Sequence, residues 1–208
     1  MKIKMHEKMN YKSKWEKGLS YKAYRKLVSD LIDNDKSTGP IQSESLLEYS
    51  KFNQHRMNRL DKTLSIEKIK ELTKLEFPNK LKFLVITEGW CGDASQIVPV
   101  IDALAKAFNI DVRFLLRDEN LDLIDLHLVN GGRSIPIMLW LDENFELINK
   151  WGPRPRTAQQ MVMDYKNLPE PKVEYAEFTK SLHLWYAKDK QQSMMIEWIE
   201  MNDAIQKR

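Results

Sequence analysis

The stretch that most constrains this 208-residue chain is Leu81-Lys-Phe-Leu-Val-Ile-Thr87. It is a short, nearly continuous apolar run, the pattern of a buried strand. Ile97, Ile101, Leu104 and Phe108 follow at helical spacing, and Asp111-Val-Arg-Phe-Leu-Leu-Arg117 reads as a second strand. Two strands joined by a helix must run parallel. Pro136 to Leu141 and Phe145 to Trp151 are two more strands around the turn Asp142-Glu-Asn144. A hairpin makes them antiparallel. Between the two pairs, Asn120 is expected to cap a short helix with Leu121, Ile124 and Leu128 inward and His127 on its polar side. Gly131-Gly132 stops that helix. A further helix spans about Thr157 to Asn167. The order is β-α-β-α-β-β-α, an α/β chain with a mixed sheet.

Helices are added at both ends. Ser20 is placed to cap a helix from Tyr21 to about Asp33, broken by Lys36-Ser-Thr-Gly-Pro40. A second, about Ser43 to Leu60, sets Leu46, Leu47, Phe52 and Met57 at loosely helical spacing. Its run Asn53-Gln-His-Arg-Met-Asn-Arg59 suits a helix that packs on the core or covers a site. Ser65 caps a third, with Ile66, Ile69 and Leu72 on one face, ended by Phe77-Pro-Asn79. Beyond Pro169 and Pro171, residues Val173 to Ile205 read as helical, with Phe178, Leu182 and Trp185 on one face. The polar run Lys188 to Gln192 splits them. The organisation expected is a helical extension over 1–78, a core domain over 79–168, and a C-terminal helical extension over 169–208 packed on the core.

Composition excludes several classes. The 33 basic and 30 acidic residues nearly balance at +3, which argues against a nucleic-acid partner. Much of the basic excess lies in MKIKMHEKMNYKSKWEKG, read as a solvated, partly mobile arm. The first residues carry no apolar signal region, and no window approaches the roughly 20 apolar residues of a membrane span. Cys91 is the single cysteine, so no internal disulfide can form, which fits a reducing, cytoplasmic setting of bacterial style. His6, His55, His127 and His183 have no zinc-ligand spacing.

Cys91 stands in Ile86-Thr-Glu-Gly-Trp-Cys-Gly-Asp-Ala-Ser-Gln96, where the first core strand gives way to a helix. Five features, in order, resemble the thioredoxin superfamily across about residues 81–167. They are Trp90-Cys91-Gly92, Pro99 eight residues on, Asp118 after the next strand, Arg133-Ser-Ile-Pro136, and Gly152 after the last strand. The resemblance implies a thioredoxin-like fold, a cis bond before Pro136, and substrate backbone pairing at Pro136 and its neighbours, including Ile135. The departures are equally plain. Ala94 replaces the second cysteine, Asp93 the intervening proline, and Val85 the buried aspartate of the family. The usual dithiol cycle is therefore closed to this chain.

A cysteine at a helix N-terminus faces unpaired N–H groups and the positive end of the dipole, and both favour the thiolate. Asp93 opposes them, and Glu88 adds a second acid; either is placed to shuttle a proton. In an open α/β sheet, ligands gather beyond the carboxyl ends of the parallel strands. Arg117, Arg133, Arg154 and Arg156 should all arrive at that edge. Arginine suits planar carboxylates and phosphates, and the alternative for each is a structural ion pair. The expected site is thus Cys91, Asp93 and Pro136 as the chemical centre, with Trp90, Gly92, Arg117, Arg133, Ile135 and Arg154 binding substrate. The expected activity is monothiol thiol–disulfide exchange with protein or small-molecule thiols. An external small thiol, bacillithiol-like or glutathione-like, would serve in place of a metal or other cofactor. The opposed reading is a non-catalytic thioredoxin-fold binding module. A third is an iron–sulfur carrier, since Cys-Gly-Asp-Ala loosely resembles the Cys-Gly-Phe-Ser of monothiol glutaredoxins.

Overall fold

A computed structural model describes residues 9–73, 77–78 and 80–207. The first eight residues of the expected arm, His6 among them, and Asn79 lie outside the described residues, as does the Leu72 side chain. Four strands form one mixed sheet: β1 (Lys82–Thr87), β2 (Asp111–Leu116), β3 (Ile137–Leu141) and β4 (Leu147–Trp151), in the order β2-β1-β3-β4. β1 runs parallel to β2 and antiparallel to β3, and β3 pairs antiparallel with β4. Every residue of β3 and all but the first of β1 are buried, which is why both segments read as unbroken apolar runs. β4 is mostly uncovered and alternates less cleanly.

The N-terminal helices are α1 (Tyr11–Lys17), α2 (Tyr21–Asp33), α3 (Glu44–Thr63) and α4 (Ile66–Thr73). Ser20 and Ser43 cap α2 and α3, each hydroxyl accepting from the N–H three residues on. The core helix α5 (Gly92–Ala107) is buried nearly all round because α3 and α4 cover it against the sheet. After a 3-10 turn at Arg117–Glu119 come α6 (Leu121–Ile124), then α7 (Arg156–Asn167), α8 (Tyr175–Asp189) and α9 (Gln192–Gln206). The break between the last two falls at Lys190 and Gln191, both at positive φ. Among the described residues no helix is long and apolar enough to cross a membrane.

Four local expectations are corrected. The basic arm is structured from Tyr11 on: α1 buries Trp15 against Phe145, and Leu19 bridges Phe114 at the free edge of β2. Its lysines alternate with aromatic residues that the sheet edge takes up. Next, α6 is a single turn whose inward residues are Leu123 and Ile124; Leu121 and Leu128 are exposed. His127 is buried rather than solvated, paired with the Tyr11 hydroxyl at 3.3 Å. Burial pushes its imidazole down to about 4. Third, Asn120 does not cap α6 through its side chain. The amide donates to the Leu116 carbonyl and accepts from Lys14. Last, Phe52 points outward, and α3 turns Ser50, Asn53, Met57 and Leu60 to the core.

Candidate functional site

Strand register places the site. Thr87, the last residue of β1, lies beside Leu116; Ile86 faces Ile137; Met138 faces Trp151. The segments that leave these strands, with Cys91, Arg117, Ile135-Pro136 and Gly152, therefore meet at one end of the sheet. The Ile135–Pro136 peptide is cis. Gly152 sits at φ +123, and a Cβ there would run into the carbonyl of Pro136, so glycine alone lets β4 leave this close to β3.

Cys91 is the N-cap of α5. Its sulfur accepts from the Ala94 N–H at 3.5 Å, and its S–H donates to the Ile135 carbonyl at 3.4 Å. The residue is only 8% exposed. Burial, followed by the Asp93 carboxylate, pushes the thiol up to about 12, while the Ala94 N–H and Arg154 pull it the other way. Desolvation outweighs the helix terminus. At pH 7 a thiol of that kind is thiolate about one part in 10⁵.

Asp93 is held from two directions. Arg154 pairs with one carboxylate oxygen at 2.7 Å, and the Tyr186 hydroxyl of α8 donates to the other at 2.9 Å. Glu88 is fully buried; it accepts from the Asp118 N–H at 2.9 Å, and burial pushes it up to about 7. The loop that carries it is clamped by the N-terminal helices. Asn53 of α3 donates to the Gly89 carbonyl at 3.0 Å, and the Gly89 N–H donates to the Thr38 hydroxyl at 2.9 Å. The added helices thus hold the cysteine loop in place.

A cavity of about 790 Å³ opens over the sulfur. Its floor is Trp90, Cys91, Gly92 and Ile135, and its walls come from α3 and α8. Arg117, Arg133 and Arg154 all line it, and each has a carboxylate. Arg117 pairs with Asp118 and stacks on Trp90 at 4.7 Å. Arg133 grips Asp125 through two bonds of 2.6 and 2.8 Å, and Arg154 holds Asp93. Arg156 is not in the cavity lining and pairs with Glu197 and Glu200. Pro136 lies behind Ile135, fully within the structure rather than on the cavity surface.

Residues of α3 and α8 that were not expected in the site also line the cavity, among them Tyr49, Phe52 and Arg56 of α3 and Tyr175, Lys180 and His183 of α8, and Tyr186 of α8 reaches the site through Asp93. His183 comes close enough to Gly92 that a Cβ there would lie 3.2 Å from Nε2. For Arg56 the sequence signal was the basic run on α3; the α8 residues carried none. Among the described residues no group of three or more His, Cys, Asp or Glu is placed to hold a metal ion.

Comparison with known proteins agrees with this architecture. A family model described as Thioredoxin matches residues 39–166. A crystal structure of a protein of unknown function from Pseudomonas aeruginosa superposes with a TM-score of 0.52 at 18% identity, covering 89% of this chain and 98% of that one. An HIV epitope scaffold superposes with a TM-score of 0.50 at 16% identity, covering 85% of this chain and 97% of the scaffold. At such identities they share the fold. No curated protein matches the chain. The match over more than half of the residues, on a sheet that brings Trp90-Cys91-Gly92 against Ile135-Pro136, places this chain in the thioredoxin family.

Proposed function

We propose that this protein carries out monothiol exchange at Cys91, acting on a small disulfide seated in the cavity. The observation that carries the reading is the position of the sulfur: it starts α5, lies on the cavity floor and touches the Ile135 carbonyl. In the reaction Cys91 loses its proton and attacks one sulfur of the ligand R–S–S–R′. A Cys91–S–S–R bond forms, and R′S⁻ leaves, taking up the proton as R′SH. The Ile135 carbonyl, released from the thiol, becomes free to accept from the bound group. A second small thiol, glutathione-like or bacillithiol-like, then attacks the mixed disulfide, restoring Cys91 and releasing the new disulfide. Ala94 cannot resolve it.

The raised thiol sets the conditions. A freely diffusing reagent meets a thiolate population about 10³-fold smaller than that of an ordinary cysteine. A ligand aligned on the sulfur gains an effective molarity that reaches about 10⁵ M for well-oriented groups, and a high-pKa thiolate is intrinsically the stronger nucleophile. Exchange is therefore confined to ligands that fit.

The test compares two reagents on the native full chain. Iodoacetamide, which does not fill the cavity, should modify Cys91 only slowly below about pH 10. Glutathione disulfide should form a mixed disulfide, read by intact mass and absent in Cys91→Ser. If no disulfide forms an adduct under conditions where the unfolded chain reacts, the exchange reading fails. The protonated thiol would then favour the second reading, a thioredoxin-fold module that binds a ligand without chemistry.

A further inference from the structure

The cavity's cations are not equivalent. Arg117, Arg133 and Arg154 are neutralised by Asp118, Asp125 and Asp93. Arg56 is half-buried in the α3 wall and, among the described residues, has no carboxylate within ion-pair distance. Its guanidinium donates to the Asn53 side-chain oxygen at 2.7 Å, and Asn53 is itself anchored to the Gly89 carbonyl. The fork is thus held in one orientation on the cavity lining. Desolvation and its neighbour Arg59 both disfavour its charge. A partly desolvated cation with no counter-charge is costly unless something supplies one.

His183 faces it from the α8 wall. Gln96, buried in α5, places its side-chain nitrogen 3.2 Å from Nδ1. An amide nitrogen donates, so Nδ1 accepts and Nε2 carries the hydrogen. That N–H lies on the Gly92 side of the cavity. Burial and the Arg56 charge keep the ring neutral by pushing it down to about 4. Lys180 at the cavity rim likewise has no carboxylate partner among the described residues. Around these donors the lining is aromatic: Tyr49, Phe52 and Tyr175, all exposed to the opening. Exposed rings beside unneutralised cations describe a ligand with an apolar body and one anionic end.

We propose that Arg56 and His183 form an oxyanion-binding subsite, and that the cavity takes a small organic anion whose apolar body packs on Tyr49, Phe52 and Tyr175. The inference rests on the cavity being the ligand site named above and requires no covalent step. Its failure would leave exchange at Cys91 standing, and the converse also holds.

The test is a fluorescence titration of the full chain with 8-anilinonaphthalene-1-sulfonate and with neutral N-phenyl-1-naphthylamine, which has the same body without the charge. The wild type and Cys91→Ser should both bind the sulfonate about tenfold or more tighter than the neutral probe, as a charge-assisted hydrogen bond implies. Arg56→Gln should abolish that preference and leave the neutral probe unaffected; Arg56→Lys should retain part of it. Equal affinity of the wild type for the two probes, no binding of either, or an undiminished preference in Arg56→Gln would overturn the proposal. If Arg56→Gln does not fold, competition on the wild type decides the matter. Hexanoate or hexyl phosphate, but not hexanol, should displace the sulfonate, and the stronger of the two anions tells a carboxylate ligand from a phosphate one. Displacement by hexanol to the same extent would overturn the proposal.

Discussion

Replacing Asp93 by asparagine should raise the reactivity of Cys91. The carboxylate is the second cause, after burial, of a thiol pushed up to about 12, and Arg154 acts in the opposite sense. Asparagine keeps the shape and an oxygen to accept from the Tyr186 hydroxyl while removing the charge. Arg154, no longer neutralised, then acts on the sulfur without opposition. A single charge a few ångströms away moves an acid by about one to three powers of ten in its ionisation constant. Because a thiolate of lower pKa is also a weaker nucleophile, part of that gain is lost, and Asp93→Asn should alkylate about 10-fold or more faster at a fixed pH near 8. It should still react more slowly than the unfolded chain, because burial, the larger cause, remains. Arg154→Gln should move the rate the other way. The assay is iodoacetamide modification followed by intact mass, with the denatured chain as the intrinsic reference. Asp93→Asn should also lose about 1–3 kcal/mol of stability, since the half-buried Arg154 guanidinium gives up its counter-charge. An unchanged alkylation rate in a folded Asp93→Asn would refute the reasoning, showing that burial alone suppresses the thiol.

Other substitutions separate the supports of the site. Tyr186→Phe removes the donor to Asp93 and should cost about 1–2 kcal/mol in urea unfolding, with faster exchange of amide protons in α8. Gly152→Ala meets both a positive φ and the backbone of β3, and should cost about 3 kcal/mol or more, read as a fall in the urea midpoint. Glu88 gives a pH dependence: its folded value of about 7 lies above the ordinary 4.5, so the folded chain holds the extra proton between them. Stability contributed by that proton is complete below about pH 4.5 and lost as pH rises through 7, by about 3 kcal/mol. His127 and His183, both pushed down to about 4, act in the opposite direction, adding stability as pH rises from 4 to 6.5. Glu88→Gln should therefore remove the loss on the neutral side of the profile, and a difference curve between variant and wild type flat from pH 5 to 8 would disprove the assignment.

The sheet was legible in the sequence because its central strands are covered on both faces. Phe83 to Ile86 and Ile137 to Leu141 have almost no solvent contact, so continuous apolar runs were the only pattern they could carry. The order of connections then fixed which ends meet, and Cys91, Arg117 and Ile135-Pro136 followed. What could not be read was decided by long-range partners. His127 belongs to Tyr11, 116 residues away, and Asp93 to Tyr186, 93 residues away. Nothing in the local spacing of Asp122-Leu-Ile-Asp-Leu-His127 distinguishes a solvated imidazole from one sealed by an N-terminal helix. Phe52 failed for a related reason. Its place in a loose apolar stripe suggested the core, but α3 turns Asn53 inward to hold the Gly89 carbonyl, and the adjacent ring is left at the cavity mouth. The sign of the shift on Cys91 was equally hidden, since the helix terminus is local and the desolvation that overrides it is not.

The helices packed around the four-stranded sheet change what the cysteine can meet. At an uncovered sheet edge, the sulfur and the Ile135 carbonyl would lie open to an extended polypeptide. Here α3 and α8 rise on either side and leave about 790 Å³, within the roughly 300–1,000 Å³ of small-molecule sites. The same walls desolvate the thiol, so enclosure and suppression have one cause. Both walls are tied to the cysteine loop: α3 through Asn53 and Gly89, α8 through Tyr186 and Asp93. A ligand that shifted α8 would slacken the hold on Asp93 and, with it, one of the two causes that keep Cys91 protonated. Tyr186→Phe should then alter the alkylation rate of Cys91 although Tyr186 does not touch the sulfur. It should do so in the native chain and leave the Asp93→Asn background unchanged, since without the carboxylate charge the tyrosine has nothing to convey. Equal effects of Tyr186→Phe in both backgrounds would mean that α8 acts by covering the thiol alone.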